Sequence, residues 1–146
     1  MTKTPHVLLV EDNRDDIELA LHAFQGSKVT PEIIVVRDGE EALEYLFCTG
    51  RHAGRPSRDL PALVLLDLQL PGIGGLEVLR RLRENPDSKR VPVVILTTSD
   101  DQSDIIGGYD RGVNSYIRKP VDFDAFSDMV RQLEHYWLIT NLAPPS

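Results

Sequence analysis

Short aliphatic runs alternate along this chain with longer stretches in which apolar positions recur every three or four residues. Residues 7–10 (Val-Leu-Leu-Val), 33–36 (Ile-Ile-Val-Val), 63–66 (Leu-Val-Leu-Leu) and 93–96 (Val-Val-Ile-Leu) are apolar at every position. Such runs predict strands covered on both faces, as in a parallel sheet. A short fifth strand is expected at Ser115–Arg118. The intervening stretches read as helices. Asn13 can cap one in which Ile17, Ala20, Leu21 and Phe24 share a face, with Gly26 as its stop. Asp38 with Glu41 three residues on resembles a capping box for a helix through Leu43 and Leu46. Leu76, Leu79 and Leu82 mark a third helix ending near Pro86, and Ser99 is the expected cap of a fourth through Ile105, Ile106 and Tyr109, ended by Gly112. Asp122 caps the last, where Phe123, Phe126, Val130, Leu133 and Trp137 form one stripe. Five strand–helix units in succession predict an α/β fold with helices on both faces of a parallel sheet.

The whole chain of 146 residues reads as one domain with a core over about 5–138 and no internal repeat. Two segments exceed what the units require. One is a Gly/Arg/Pro-rich insertion over 49–61, long for a loop in a small domain. The other is a tail over 139–146 that stays partly apolar past the point where a closing helix should fray; both segments either merely cover the domain surface or form a partner or self-association surface. The net charge of −7 argues against a nucleic-acid or anionic-membrane surface, although Arg51, His52, Arg55 and Arg58 cluster locally. A single cysteine, Cys48, excludes an intrachain disulfide and is expected simply to pack. No apolar run approaches the roughly 18 residues of a membrane span, and no signal peptide is visible, so a soluble cytoplasmic protein is expected.

The chemistry-bearing residues sit where the strands end. Glu11-Asp12 follow the first strand, Asp67 the third, Thr97 the fourth, and Lys119-Pro120 the fifth. In an open parallel sheet those ends share one edge, where α/β proteins place their ligands. The acids supply oxygen donors suited to Mg²⁺, which takes about six oxygens including one or two carboxylates. Lys119 offers a compact positive charge, and Thr97 a neutral donor for a phosphoryl oxygen. Phosphoryl transfer asks little more than in-line positioning and charge neutralisation. The set predicts a magnesium-dependent phosphate site built around a carboxylate.

Glu11-Asp12-Asn13, Asp67, Thr97 and Lys119-Pro120 together resemble the receiver domain of bacterial two-component response regulators, over roughly residues 5–138. The Pro71-Gly72-Ile73-Gly74-Gly75 loop is similar to the family's loop after its acceptor aspartate. The resemblance implies a flavodoxin-like (βα)5 sheet in strand order 2-1-3-4-5. It implies Asp67 as phosphoacceptor, and Mg²⁺ held by Glu11, Asp12, Asp67 and the backbone carbonyl of Gln69. Thr97 rather than its neighbour Thr98 would contact the phosphoryl group together with Lys119, and Tyr116 would be the aromatic switch residue. A cis peptide is often found ahead of the position of Pro120. The insertion and long last helix look like the small stand-alone regulators that partner phytochrome histidine kinases and dimerise through the last-helix side. Phe126, Val130, Leu133 and Trp137 would then be candidates for the interface. The implied partners are a histidine kinase and a second copy of the chain, and the implied role is a phosphorelay switch rather than a dedicated enzyme.

Two rivals share parts of this pattern. A haloacid-dehalogenase-type phosphatase also uses a strand-end aspartate, Mg²⁺, a hydroxyl and a lysine, but needs an acid two residues past the nucleophile, where this chain has Gln69. An FMN-binding flavodoxin-like protein would need a hydroxyl- and amide-rich phosphate loop after the first strand, where this chain has four acids within residues 11–16.

Overall fold

Strands that are apolar on both faces need cover on both faces, and the chain supplies it by placing its first and last helices on one side and the three between them on the other. A computed structural model of the chain describes residues 5–26, 29–57 and 59–145. The strands are β1 (His6–Val10), β2 (Glu32–Val36), β3 (Leu63–Leu66), β4 (Val93–Thr97) and β5 (Ser115–Arg118). They form one sheet, all parallel, in the order β2-β1-β3-β4-β5. The three inner strands are wholly buried, whereas β2 and β5 at the edges are partly exposed. The helices are α1 (Arg14–Gln25), α2 (Gly39–Phe47), α3 (Gly75–Glu84), α4 (Gln102–Asp110) and α5 (Phe123–His135).

The two-residue period of each strand divides the core in two. Leu8, Val10, Val64 and Ile95 point towards α2 and α3, where Leu43, Leu46, Val78, Leu79 and Leu82 meet them. Val7, Leu9, Leu63, Leu65, Val94 and Leu96 point the other way, towards α1 and α5. There Ile17, Ala20, Ala23 and Phe24 pack with Phe126, Val130 and Leu133. Removing each large aliphatic side chain from water contributes about 1.5–3 kcal/mol. The Phe126-Val130-Leu133 stripe expected at an interface is therefore core, because α5 must bury its apolar face on the sheet. Trp137 is half-buried beside it, and Phe123 is exposed.

Side-chain caps open four of the helices. Asn13 accepts from the Asp16 amide at 3.0 Å, Asp38 from Glu41 at 2.7 Å and Asp122 from Ala125 at 3.0 Å. The reciprocal half of the Asp38 capping box is replaced, since the Glu41 carboxylate turns instead to His52 at 3.2 Å. At α4 the cap is Asp101, accepting from Ser103, and not Ser99. Ser99 lies too early for that role, and its hydroxyl donates to Asp104 at 2.7 Å. The Lys119–Pro120 peptide is trans.

The insertion begins with a 3₁₀ turn, Gly50–His52, and folds back onto α2. Arg51 donates to Glu44 at 2.7 Å, and Arg55 stacks 3.5 Å from the Tyr45 ring centre while bonding the Tyr45 and Asp59 carbonyls. Three members of the basic cluster thus pair with groups of the domain itself, although Arg51 stays exposed; the fourth, Arg58, lies outside the described residues. Past α5 the chain makes a π-helical turn, Tyr136–Thr140, and the tail reaches the N-terminal end of the strands. There Ala143, Pro144 and Pro145 line a cavity with Pro5, Pro61 and Pro92. Among the described residues no helix is long and apolar enough to cross a membrane.

Candidate functional site

Backbone hydrogen bonds carry the ladder one residue beyond β1, β3 and β5 and fix the residues that follow. The Glu11 amide donates to the Val36 carbonyl at 3.0 Å, the Asp67 amide to Val10 at 3.0 Å and the Lys119 amide to Thr97 at 2.7 Å. Glu11, Asp67 and Lys119 are brought together in this way at the C-terminal edge of the sheet. All three are nearly excluded from solvent, at 3%, 5% and 8% exposure. Asp12, adjacent to Glu11, is exposed at the rim. Carboxylate oxygens of Glu11, Asp12 and Asp67 all lie within 4.8 Å of one another. Three hard oxygen donors at this spacing fit a cation such as Mg²⁺.

The Asp67 carboxylate is held at both oxygens. Its Oδ1 accepts from the Gln69 amide at 3.1 Å, and its Oδ2 from Lys119 Nζ at 3.0 Å. The turn that follows depends on Gly75, the first residue of α3. A Cβ there would lie 2.3 Å from the Asp67 carbonyl oxygen, so only glycine lets the helix start against the strand end. The Gln69 side chain points outward, where Thr98 Oγ1 donates to its Oε1 at 3.4 Å. Thr97 is completely buried whereas Thr98 is exposed. Tyr116, on β5, donates its hydroxyl to the Ser99 carbonyl at 2.9 Å and so ties β5 to the loop between β4 and α4.

Lys119 is the hub. Its ammonium contacts Glu11 at 2.6 Å, Asp16 at 2.7 Å and Asp67 at 3.0 Å. Burial works against its charge, but the hydrogen bonds to Asp16 and Glu11 and the charge of Asp67 outweigh burial and raise its pKa. For Glu11 burial is the stronger influence: it lifts the carboxyl to about 7 despite the hydrogen bond from Lys119, and the neighbouring Asp67 charge pushes the same way. The arrangement is a buried, acid-rich pocket with one fixed cation, able to hold a divalent metal and present a carboxylate to an electrophile.

Asp16 was not among the residues the sequence singled out. Its one signal was the density of acids after β1, with Asp12, Asp15 and Asp16 close together. Its reach to Lys119 is set by how α1 leaves the sheet, which no local pattern states.

The model of the response regulator receiver domain matches residues 7–131. Response regulator Rcp1 of Synechocystis sp. is 40% identical over 138 residues, covering 94% of this chain and 92% of Rcp1. The crystal structure of the phosphorylated cyanobacterial phytochrome response regulator RcpA superposes with a TM-score of 0.92 at 40% identity, covering 98% of this chain and all of the other. The Mn(2+)-bound form of Rcp1 gives a TM-score of 0.89 at 39% identity, covering 97% and 99%.

Proposed function

This chain belongs to the response regulator receiver domain family, and from that premise we propose that Asp67 is the phosphoacceptor of a phosphorelay. The observation that carries the proposal is the Asp67 carboxylate itself. It is buried at the end of β3, grouped with Glu11 and Asp12 and held by Lys119 and the Gln69 amide. The donor is a phosphohistidine of a histidine kinase. An Asp67 oxygen attacks phosphorus, the P–N bond breaks, and its electron pair returns to the imidazole nitrogen. Glu11, Asp12, Asp67 and the Gln69 carbonyl would hold Mg²⁺, and a Mn(2+)-bound relative supports a divalent ion at this place. When bound, the metal neutralises charge between the carboxylates and the incoming phosphoryl oxygens.

Lys119 and Thr97 contact the phosphoryl group in this proposal. Thr97 belongs to the strand beside β5, and Tyr116 is bonded to the loop just beyond Thr97. A shift of Thr97 towards the new charge is therefore felt at Tyr116 and on the face made by α4, β5 and α5. That face meets a partner or a second copy of the chain. The phytochrome regulators among the similar structures favour a phytochrome-type kinase as the upstream partner. Gln69 offers no carboxylic acid at the place where a phosphatase of the haloacid-dehalogenase type needs one. In this reading the chain acts as a phosphorelay switch rather than as a dedicated phosphatase.

The test is labelling with acetyl phosphate and Mg²⁺, followed by mass spectrometry. The intact chain gains one phosphoryl group that alkali or hydroxylamine removes, and Asp67→Asn gains none. Labelling that persists in Asp67→Asn assigns the acceptor elsewhere, and no labelling of the intact chain sinks the proposal.

A further inference from the structure

Three carboxylates share one ammonium in this site. Lys119 Nζ has three protons to give, and its three partners stand at unequal distances: Glu11 at 2.6 Å, Asp16 at 2.7 Å and Asp67 at 3.0 Å. Asp67 has the longest of the three contacts. Asp16 comes from the first turn of α1, a different element from the acids at the strand ends. Its side chain is 24% exposed, and its own amide is bound by the Asn13 cap, which fixes the direction from which the carboxylate reaches in.

We propose that Asp16 is a positioning residue for Lys119, drawing the ammonium away from Asp67 so that this carboxylate keeps its charge for the divalent cation. The physical argument is one of competition. Each carboxylate that Lys119 neutralises is a poorer ligand for a cation. Glu11 and Asp67 are the more deeply buried of the three partners, so attraction to them is less screened. Without Asp16 the third N–H has only these two to turn to, and the ammonium then sits where the cation should. The inference deepens the phosphoacceptor proposal and rests on it for the use made of the cation, although cation binding can be read by itself.

Titration calorimetry of Mg²⁺ into the full chain tests it. Asp16→Asn raises the Mg²⁺ Kd by roughly fivefold, the scale of one partly exposed ion pair, and Asp16→Glu restores most of the affinity. Asp15→Asn removes the same charge from an exposed neighbour in the same turn. It changes the Kd by less than about twofold, as expected for a solvated charge. In a Lys119→Met background the Asp16→Asn effect shrinks to that of Asp15→Asn, because its target is gone. Without metal, the Lys119 ammonium signal in side-chain NMR exchanges faster in Asp16→Asn than in the parent. In acetyl phosphate labelling Asp16→Asn is slow at limiting Mg²⁺ and matches the parent at saturating Mg²⁺. Equal Kd values for Asp16→Asn and Asp15→Asn overturn the proposal, as does an Asp16→Asn effect that survives Lys119→Met. Absence of labelling in the parent at saturating Mg²⁺ instead sinks the acceptor assignment and leaves the Kd comparison to decide on Asp16.

Discussion

Burial lifts the Glu11 carboxyl from an ordinary value of 4.5 to about 7, even with Lys119 bonded to it. The unfolded chain gives up this proton near 4.5 and the folded chain near 7. Between those values the folded state holds more protons, so the group's contribution to metal-free stability is present at low pH and lost as pH rises towards 7. A divalent cation needs the ionised form and must displace that proton. The Mg²⁺ Kd should therefore tighten severalfold between about pH 6 and pH 8, with proton release detectable by calorimetry in two buffers of different ionisation enthalpy. An affinity that stays flat across that range would mean that Glu11 is already ionised in the metal-free protein. The acids at the strand ends were legible in the sequence because a buried strand is apolar throughout, so a carboxylate directly after it stands out. Asp16 was not, because an acid in the first turn of a helix is ordinary and favourable for the helix dipole alone. Only the placement of α1 against the end of β5 gives it Lys119 as a partner.

Of the five α-helices, α4 is the one with least holding it down. Its buried residues are Gly107 and Gly108, so the helix meets the sheet by backbone instead of by large side chains, and Ile106 and Tyr109 face solvent. Each glycine in a helix interior costs about 0.5–1 kcal/mol relative to alanine. The close approach has a structural reason. A Cβ on Gly108 would lie 2.9 Å from Ile95 Cδ1, so the glycine leaves room for the isoleucine of β4. By contrast α3 buries Val78, Leu79 and Leu82, and α5 buries Phe126, Val130 and Leu133. Hydrogen exchange followed by mass spectrometry should show amides of α4 exchanging at least tenfold faster than those of α3, since local opening follows local burial. Equal protection of the two helices would remove α4 as a weakly held element. The sequence showed a helix here and its glycine stop, but placed the cap at Ser99. Two side chains, Ser99 and Asp101, compete for the start, and the serine hydroxyl is used by Asp104. The insertion misled in a similar way. Its arginines looked like a patch because their partners, Glu44 and the Tyr45 carbonyl, belong to the preceding helix and become neighbours only when the loop folds back.

At the scale of the molecule, exposed apolar side chains lie both next to the acid-rich site, at Val121 and Phe123 just after Lys119, and away from it. The candidate site gathers its carboxylates at the C-terminal edge of the sheet, and the other exposed large apolar side chains are Ile106 and Tyr109 on α4 and Tyr136, Ile139 and Leu142 beyond α5 among the described residues. The order of strands followed from the receiver resemblance, whereas which helices share a face followed from the two-residue period of the strands once that order was known. That division puts Phe126, Val130 and Leu133 in the core, and a self-association surface on this side must then be built from what α5 leaves outside and from the segment after it. Trp137 and Leu138 pack against the core, whereas Ile139 is 52% and Leu142 93% exposed. Truncation after Leu138 removes the exposed pair and keeps the residues that close the α1–α5 side. If the tail joins two copies, sedimentation shows the full chain as a dimer and the truncated chain as a monomer. The melting temperature of the truncated chain measured at low concentration changes by no more than a few degrees, because no core side chain is lost. A dimer that survives truncation takes the tail out of the interface and moves it to Ile106 and Tyr109 on α4, where Ile106→Glu would then separate the copies.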